Sequence, residues 1–369
     1  MKHRIPVANI DIGIEEERIL VEVIRSGWIS SQSPYVRRFE EEFSKWINVK
    51  HSIAVSNGTV ALHLALLALG VGPGDEVIVP DITFASPANM VILTGARPVF
   101  VDVTPEYWCI DPNDLKRKIT ERTKAIIVVH LYGHPADMDE ILEIAKMQNI
   151  YIIEDAAEAH GAEYKGKKVG TYGDVATFSF YANKVITTGE GGMVITNIDE
   201  LADKIRLMRD HGMRPRYWHV TLGFNYRMTG LQAAIGIAQI RKIDKLIERK
   251  RTISMIYNNI LGDILGIDLP PSMPWARPSY WLYSILVNEK CKFSRNKLMK
   301  ELEKKGIETR KFFYPLHSMP IFRKYSGGEN YPISTYISMH GINLPSGPKI
   351  SDEDVEYVAK AIKKLCGES

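Results

Sequence analysis

One lysine occupies an unusual place in the sequence, between two segments that are typical of β-strands. The first segment, 177–180, is apolar and alternating, and the second is Met193-Val-Ile-Thr196. Between them Lys184 lies among small and polar residues, ahead of the turn Gly189-Glu-Gly-Gly192. Glycines allow positive φ and close backbone approach. Such a scaffold can crowd a lysine and lower the pKa of its amine, which makes it a nucleophile able to form a Schiff base. A solvated lysine on a surface hairpin is the alternative.

A second candidate is a turn that could bind an anion. The strand-like run His51-Ser-Ile-Ala-Val55 is followed by Ser56-Asn-Gly-Thr59 and then by an Ala- and Leu-rich helix over 60–69. At the start of a helix the free backbone N–H groups and the helix dipole point towards a bound phosphate. Gly58 and Thr59 are therefore candidate phosphate ligands. Ordinary N-capping by Asn or Thr explains the same pattern.

A carboxylate stands at the end of another predicted strand. Tyr151-Ile-Ile-Glu-Asp155 is apolar until its last two residues, and small residues follow it. Asp155 could hold the proton of a pyridinium ring, because neighbouring opposite charges favour the charged form of both groups. A helix-capping role for Asp155 is the alternative. For His160, a few residues on, we expect a packed position rather than a catalytic one.

The order of predicted elements defines the fold class. Strands alternate with helices through much of the chain, which predicts an α/β fold with a mostly parallel sheet and ligands at the carboxyl ends of its strands. Pro270-Pro-Ser-Met-Pro274 marks a change in composition. We expect a large domain over 1–244, with N-terminal helices, and a smaller α+β domain over 245–369.

Composition narrows the class of protein. The 369 residues carry 47 Lys and Arg against 44 Asp and Glu, a net charge of +3, without a basic run suited to nucleic acid. Neither a signal peptide nor an apolar run long enough for a membrane span is visible. The three cysteines, Cys109, Cys291 and Cys366, form no CxxC pair, so we expect no zinc or redox pair and a reduced cytoplasmic location.

Taken together, these features describe a pyridoxal phosphate site, and here the chain resembles the DegT/DnrJ/EryC1/StrS family of sugar-nucleotide aminotransferases. The resemblance covers nearly the whole length. It implies the pyridoxal-phosphate-dependent aspartate-aminotransferase (type I) fold. The motifs that carry it are Gly27-Trp-Ile-Ser-Ser31, Asn57-Gly-Thr-Val-Ala-Leu-His-Leu-Ala65, Gly72-Pro-Gly-Asp-Glu-Val-Ile-Val-Pro80, Glu154-Asp-Ala-Ala-Glu158, Phe178-Ser-Phe180, Asn183-Lys-Val-Ile-Thr-Thr-Gly-Glu-Gly-Gly192 and Gly223-Phe-Asn-Tyr-Arg-Met228.

The resemblance implies a role for each site residue. Lys184 binds the cofactor covalently and moves protons, while Asp155 holds the pyridinium nitrogen. The other implied cofactor contacts are Glu158 near the phenolic oxygen, Phe84 stacked on the ring, Gly58, Thr59 and Ser179 at the phosphate, and Asn225 at the phosphate of a neighbouring subunit. His317, Ser30 and Arg227 are the implied substrate residues. Many family members carry Gln in place of Glu158, which predicts a partly protonated carboxyl there.

The resemblance also implies the reaction and its partners. Some family members replace the lysine by histidine and are dehydratases, so Lys184 favours amino transfer. Arg216-Tyr-Trp218 with Phe224-Asn-Tyr-Arg-Met228 resembles the members that aminate C4 of GDP-4-keto-6-deoxymannose. We therefore expect L-glutamate as amino donor and a homodimer with shared active sites. The alternatives are amination at C3 or C4 of a dTDP- or UDP-linked keto sugar, and a regulator that senses pyridoxal phosphate.

Overall fold

The computed structural model describes residues 4–366. Its helices are α1 (Ile14–Ser26), α2 (Pro34–Ile47), α3 (Gly58–Ala68), α4 (Ser86–Leu93), α5 (Pro112–Lys118), α6 (Met138–Gln148), α7 (Asp199–Arg209), α8 (Gly230–Ile240), α9 (Ile243–Leu261), α10 (Arg295–Lys304), α11 (Pro332–His340) and α12 (Asp352–Cys366). Its strands are β1 (His51–Val55), β2 (Glu76–Pro80), β3 (Arg97–Val101), β4 (Thr123–Val129), β5 (Tyr151–Asp155), β6 (Glu163–Tyr164), β7 (Lys167–Lys168), β8 (Val175–Ser179), β9 (Gly192–Thr196), β10 (Ile267–Asp268), β11 (Ala276–Arg277), β12 (Tyr283–Val287), β13 (Arg310–Lys311) and β14 (Gly341–Leu344).

A seven-stranded sheet forms the centre of the larger part of the chain. Its order is β1-β9-β8-β5-β4-β2-β3. The pairs β2–β3, β2–β4, β4–β5 and β5–β8 are parallel, whereas β9 runs antiparallel to both β8 and β1. The prediction of a mostly parallel sheet is therefore confirmed. The reversed strand β9 is the one that returns the chain directly after the Lys184 loop.

The strands of this sheet are apolar on both faces because helices cover both. In β4 alternate side chains point to opposite faces, so Ile126 and Val128 belong to one core and Ile127 and Val129 to the other. The first core also contains aromatic residues of α2 and β8, and the second contains the apolar residues of α3. Helix α3 is buried over most of 61–68, whereas its first turn, 58–60, is only half-buried.

The C-terminal part has its own four-stranded sheet, in the order β10-β12-β14-β13. A third core joins this sheet to α9, α10 and α12, and it includes Ile5 from the other end of the chain. Strand β11 pairs with β6, so the two parts also share a small three-stranded sheet. The division of the chain at 244/245 stays a prediction.

The cysteines are arranged differently from the sequence prediction. Cys291 and Cys366 form a disulfide with their Cα atoms 5.0 Å apart, and only Cys109, which is buried, is free. The expectation of reduced cysteines differs from this structure, because Cys291 and Cys366 lie 75 residues apart in sequence and meet through the packing of α12.

Among residues 4–366, none of the helices combines the length and the apolar character that crossing a lipid bilayer requires.

Candidate active site

A cavity of about 510 Å³ lies between the carboxyl ends of the central strands, the first turn of α3 and the four-stranded C-terminal sheet. The central strands and α3 position its polar wall. It brings together all but one of the residues predicted to bind the cofactor: Gly58, Thr59, Phe84, Asp155, Glu158, Ser179 and Lys184. These assignments stay predictions, but the fold does place the seven residues around one space.

The ends of β5 and β8 position the polar groups. Asp155 is the last residue of β5 and Ser179 the last of β8, and these strands are parallel neighbours. Their ends therefore meet at one edge of the sheet. The loop that carries Lys184 leaves from the same edge, and two backbone hydrogen bonds close it, from Phe180 N–H to the Gly191 carbonyl and from Thr188 N–H to the Phe180 carbonyl.

Lys184 is buried in this loop, with 10% of its side chain exposed. Its Nζ lies 3.8 Å from Glu158 Oε1 and 3.7 Å from the centre of the Trp281 ring. Burial lowers the pKa of the amine, while the nearby carboxylates of Glu158 and Asp155 oppose that effect. The alternative of a solvated lysine on a surface hairpin is therefore wrong. The arrangement instead suits an amine that gains and loses a proton.

Two buried carboxyls flank the amine. Asp155 Oδ1 accepts a hydrogen bond from Ala157 N–H at 3.1 Å, so it does cap the turn after β5 while it also lines the cavity. Burial raises the pKa of Asp155. Burial also raises the pKa of Glu158 to about 7, in line with the expectation of a partly protonated group. Glu158 Oε2 accepts from Tyr132 N–H at 2.9 Å.

The first turn of α3 is open towards the cavity. The Asn57 side chain caps the helix by accepting from Val60 N–H at 3.0 Å. Gly58 packs so closely on β8 that a Cβ there would lie 2.8 Å from Ser179 Cβ. Thr59 Oγ1 lies 2.8 Å from Ser86 Oγ, another hydroxyl that lines the cavity. The capping interpretation is confirmed, and the hydroxyls of Thr59, Ser86 and Ser179 line a recess of the cavity beside Gly58.

Four predicted residues are not among those that line the cavity. Asn225 is exposed, as is Ser30. Arg227 is engaged by Asp210 and by Ser31 Oγ, the latter at 2.9 Å. His317 donates its backbone N–H to Asp81 Oδ1 at 2.8 Å, and its Nδ1 lies 2.7 Å from Asp81 Oδ2, which raises the pKa of the imidazole. Their roles stay predictions.

His160 is packed, as predicted. It is fully buried, with its ring against Phe178 and Phe180.

Sequence reasoning missed the opposite wall of the cavity. That wall consists of Trp281, Arg310 and Phe313 from the C-terminal part of the chain. Phe313 lies 6.0 Å from Phe84 between ring centres. Arg310 has no hydrogen bond or ion pair to a side chain among residues 4–366. The segment around Arg310 is rich in aromatic and basic residues, which was the only available signal.

A buried lysine and two carboxyls at the ends of parallel strands are the arrangement expected of an aminotransferase, and comparison with known proteins agrees. The model of the DegT/DnrJ/EryC1/StrS aminotransferase family matches residues 11–363. The chain belongs to this family. The predicted family, fold and enzyme class are confirmed.

Individual relatives are similar to this chain over nearly its whole length. GDP-perosamine synthase of Escherichia coli O157:H7 is 46% identical over 364 residues, which is 98% of each chain. Among solved structures, S. venezuelae DesV matches with a TM-score of 0.93 at 34% identity over 99% of each chain. The putative sugar aminotransferase Spr1654 from Streptococcus pneumoniae, solved in its PLP-form, matches with a TM-score of 0.92 at 30% identity over 98% of each chain.

Proposed function

We propose that this enzyme transfers the amino group of L-glutamate to C4 of GDP-4-keto-6-deoxymannose, with pyridoxal 5'-phosphate as its cofactor, and so makes GDP-perosamine. The observation that carries the proposal is the buried Lys184, which shares one cavity with Asp155 and Glu158. The similarity to a GDP-perosamine synthase supports the choice of substrate. A homodimer with shared active sites and a cytoplasmic location stay predictions of the family resemblance.

The residues that line the cavity suit the chemistry of pyridoxal phosphate. At one end the recess beside Gly58 offers N–H groups of the first helical turn, which have no partner within the helix. The hydroxyls of Thr59 and Ser179 stand beside it, and the close Gly58–Ser179 contact shows that a larger residue would fill the recess. At the other end Asp155 is a buried carboxyl whose pKa burial has raised. A cationic ring nitrogen would favour its ionised form.

When it is bound, pyridoxal phosphate supplies an aldehyde that carries amino groups and a ring that withdraws electrons. The protein must hold and move protons around it. Lys184 is the base that can take a proton and return it to a neighbouring atom, because burial lowers the pKa of its amine and so favours the neutral form. Asp155, once ionised, would keep a proton on the ring nitrogen, and Phe84 lines the same cavity.

Arg310 is suited to the anionic part of a substrate. Its guanidinium lines the cavity and has no side-chain partner among residues 4–366. Glutamate carries carboxylates and a nucleotide sugar carries a diphosphate, and an arginine binds either kind of oxyanion well. We therefore add Arg310 to the proposed substrate residues, beside His317, Ser30 and Arg227.

The test is an amination assay with L-glutamate and a panel of keto sugars linked to GDP, dTDP or UDP. Products are identified by mass spectrometry, and Lys184→Ala serves as the inactive control. The expected result is an added amine at C4 of GDP-4-keto-6-deoxymannose. Amination of only a dTDP- or UDP-linked sugar, or at C3, would replace the substrate while keeping the reaction class. No amination of any keto sugar would overturn the proposal.

A further inference from the structure

Trp281 comes from the C-terminal part of the chain but is buried against the Lys184 loop. It is 4% exposed. Lys184 Nζ stands over its ring, 3.7 Å from the ring centre. The indole Nε1–H donates to the carbonyl of Asn183 at 2.8 Å. One side chain therefore contacts both the amine and the backbone that carries it.

The segment that packs against Trp281 also donates a hydrogen bond to Glu158. The Tyr132 ring stacks on Trp281 with 6.1 Å between centres and 17° between planes. Beside it the backbone of Gly133, at φ +92°, approaches so closely that a Cβ there would lie 2.9 Å from Trp281 N. The N–H of Tyr132 donates to Glu158 Oε2. The ring and the carboxylate that flank the amine thus rest on one segment.

We propose that the face of Trp281 and the carboxylate of Glu158 form the resting place of the Lys184 ammonium group whenever its amine is not covalently bound. The inference rests on the proposed function, in which Lys184 is alternately bound and free. A cation over the face of a tryptophan is attracted by the ring, and more strongly where water is excluded. Trp281 is accordingly a positioning residue, which keeps the free amine and its proton at one point beside the reacting atoms.

Other charged groups act on the same amine. Burial and the guanidinium of Arg310 favour its neutral form, whereas Glu158 and Asp155 favour the charged form. His160 also lies within electrostatic reach of Lys184 and stays neutral because burial lowers its pKa to about 3. The ring face of Trp281, like the two carboxylates, favours the charged form of the amine. Removing its ring face should therefore make the amine lose its proton at lower pH.

The experiment measures the amine in the cofactor-free protein. Reductive methylation with formaldehyde and a borane is followed from pH 5 to 11, on the order of one point per pH unit, and the peptide containing Lys184 is quantified by mass spectrometry. In Trp281→Leu we expect the apparent pKa of Lys184 to fall by about 0.5 to 1.5. In Trp281→Phe the fall should be smaller, because phenylalanine keeps a weaker ring face. An unchanged pKa in Trp281→Leu would overturn the proposal.

The comparison of the two variants separates the ring from the hydrogen bond. Both lose the N–H that donates to Asn183, so an equal fall in both would overturn the role of the ring. Trp275→Leu is the matched control, because Trp275 packs against Tyr107, His134 and Tyr164 rather than against Lys184. Its Lys184 should titrate as in the wild type.

Fluorinated tryptophan provides a test that leaves the fold intact if Trp281→Leu does not fold. Fluorine withdraws charge from the ring face and hardly changes its size. Replacing all six tryptophans should lower the apparent pKa of Lys184 stepwise with each added fluorine, and should have no effect in Trp281→Phe. An unchanged titration would overturn the proposal. Because no cofactor or substrate is used, this result is independent of whether the protein aminates a keto sugar.

Discussion

The two walls of the cavity differ in origin and in chemistry. On one wall Asp155, Ser179 and Lys184 stand at or beside the ends of parallel strands, where the hydrogen-bonded sheet fixes their spacing. On the other wall Trp281, Arg310 and Phe313 come from the four-stranded C-terminal sheet and its loops. In the proposed function the first wall supplies proton transfer and an anion site, and the second supplies ring faces and the guanidinium of Arg310. We infer that Arg310 and Phe313 of the second wall can change substrate preference, while the first wall, with Trp281 positioning its amine, keeps the reaction.

The largest effect should come from the first wall. Lys184→Ala should lower kcat by at least about 10³-fold, because it removes the group that binds the cofactor and moves the proton. Turnover of glutamate and keto sugar is followed by mass spectrometry. Lys168→Ala is a matched control, because Lys168 also stands over a tryptophan, at 4.2 Å from the Trp46 ring, yet lies outside the cavity lining. A Lys184→Ala enzyme with wild-type turnover would refute the role of this wall.

The second largest loss of activity should come from Asp155→Asn. The amide keeps the hydrogen bond from Ala157 N–H but cannot hold a charge against a ring nitrogen, so kcat should fall by about 10²- to 10³-fold. Steady-state kinetics measure the loss. Asp139→Asn, at an exposed ion pair with Lys165, should leave kcat unchanged. If both variants behaved alike, Asp155 would be a structural cap and nothing more.

Glu158 should make the free energy of unfolding of the cofactor-free protein depend on pH. Its folded pKa of about 7 lies above the ordinary value, so the folded state holds this proton more tightly than the unfolded state. The resulting stability is fully present below about pH 4.5 and is lost as pH rises towards 7, by about 1.4 kcal/mol per pH unit. Denaturant titrations should show the wild type losing stability relative to Glu158→Gln as pH rises through that window, because only the wild type titrates there. A difference that stays constant with pH would contradict the assignment.

Gly58→Ala probes the anion recess. The new Cβ would lie 2.8 Å from Ser179 Cβ, and crowding of this kind costs about 1–3 kcal/mol. We expect roughly 10-fold weaker binding of pyridoxal phosphate, measured by quenching of tryptophan fluorescence. Gly72→Ala, where a Cβ would meet nothing within 4 Å, is the control. Equal affinity in the two variants would place the phosphate elsewhere.

The smallest effect should separate the second wall from the first. Arg310→Gln should raise KM for one substrate by about 10-fold and leave kcat nearly unchanged, because it removes an anion contact without touching the proton path. Lys311→Gln, the exposed neighbour on β13, is the control. Whether glutamate or the keto sugar is affected identifies the bound anion. A loss confined to kcat would mean that the two walls do not divide the work in this way.

Sequence reasoning found the first wall because its signals are local. A strand, a polar residue at its end and a glycine-containing turn lie within a few residues of each other at Asp155, Lys184 and Gly58. The second wall depends on contacts between distant segments, such as the one from Trp281 to Asn183, 98 residues apart. Nothing near Trp281 indicates that its partner is a lysine. The Cys291–Cys366 pair escaped prediction for the same reason.

The proposed reaction requires pyridoxal phosphate to become attached to Lys184. The direct measurement is to incubate the protein with pyridoxal phosphate, reduce it with borohydride, and map the labelled peptide by mass spectrometry. We predict a yellow protein with one label, on Lys184, and an unlabelled Lys184→Ala variant. A label on another lysine, or a colourless protein that takes up no pyridoxal phosphate, would contradict the account.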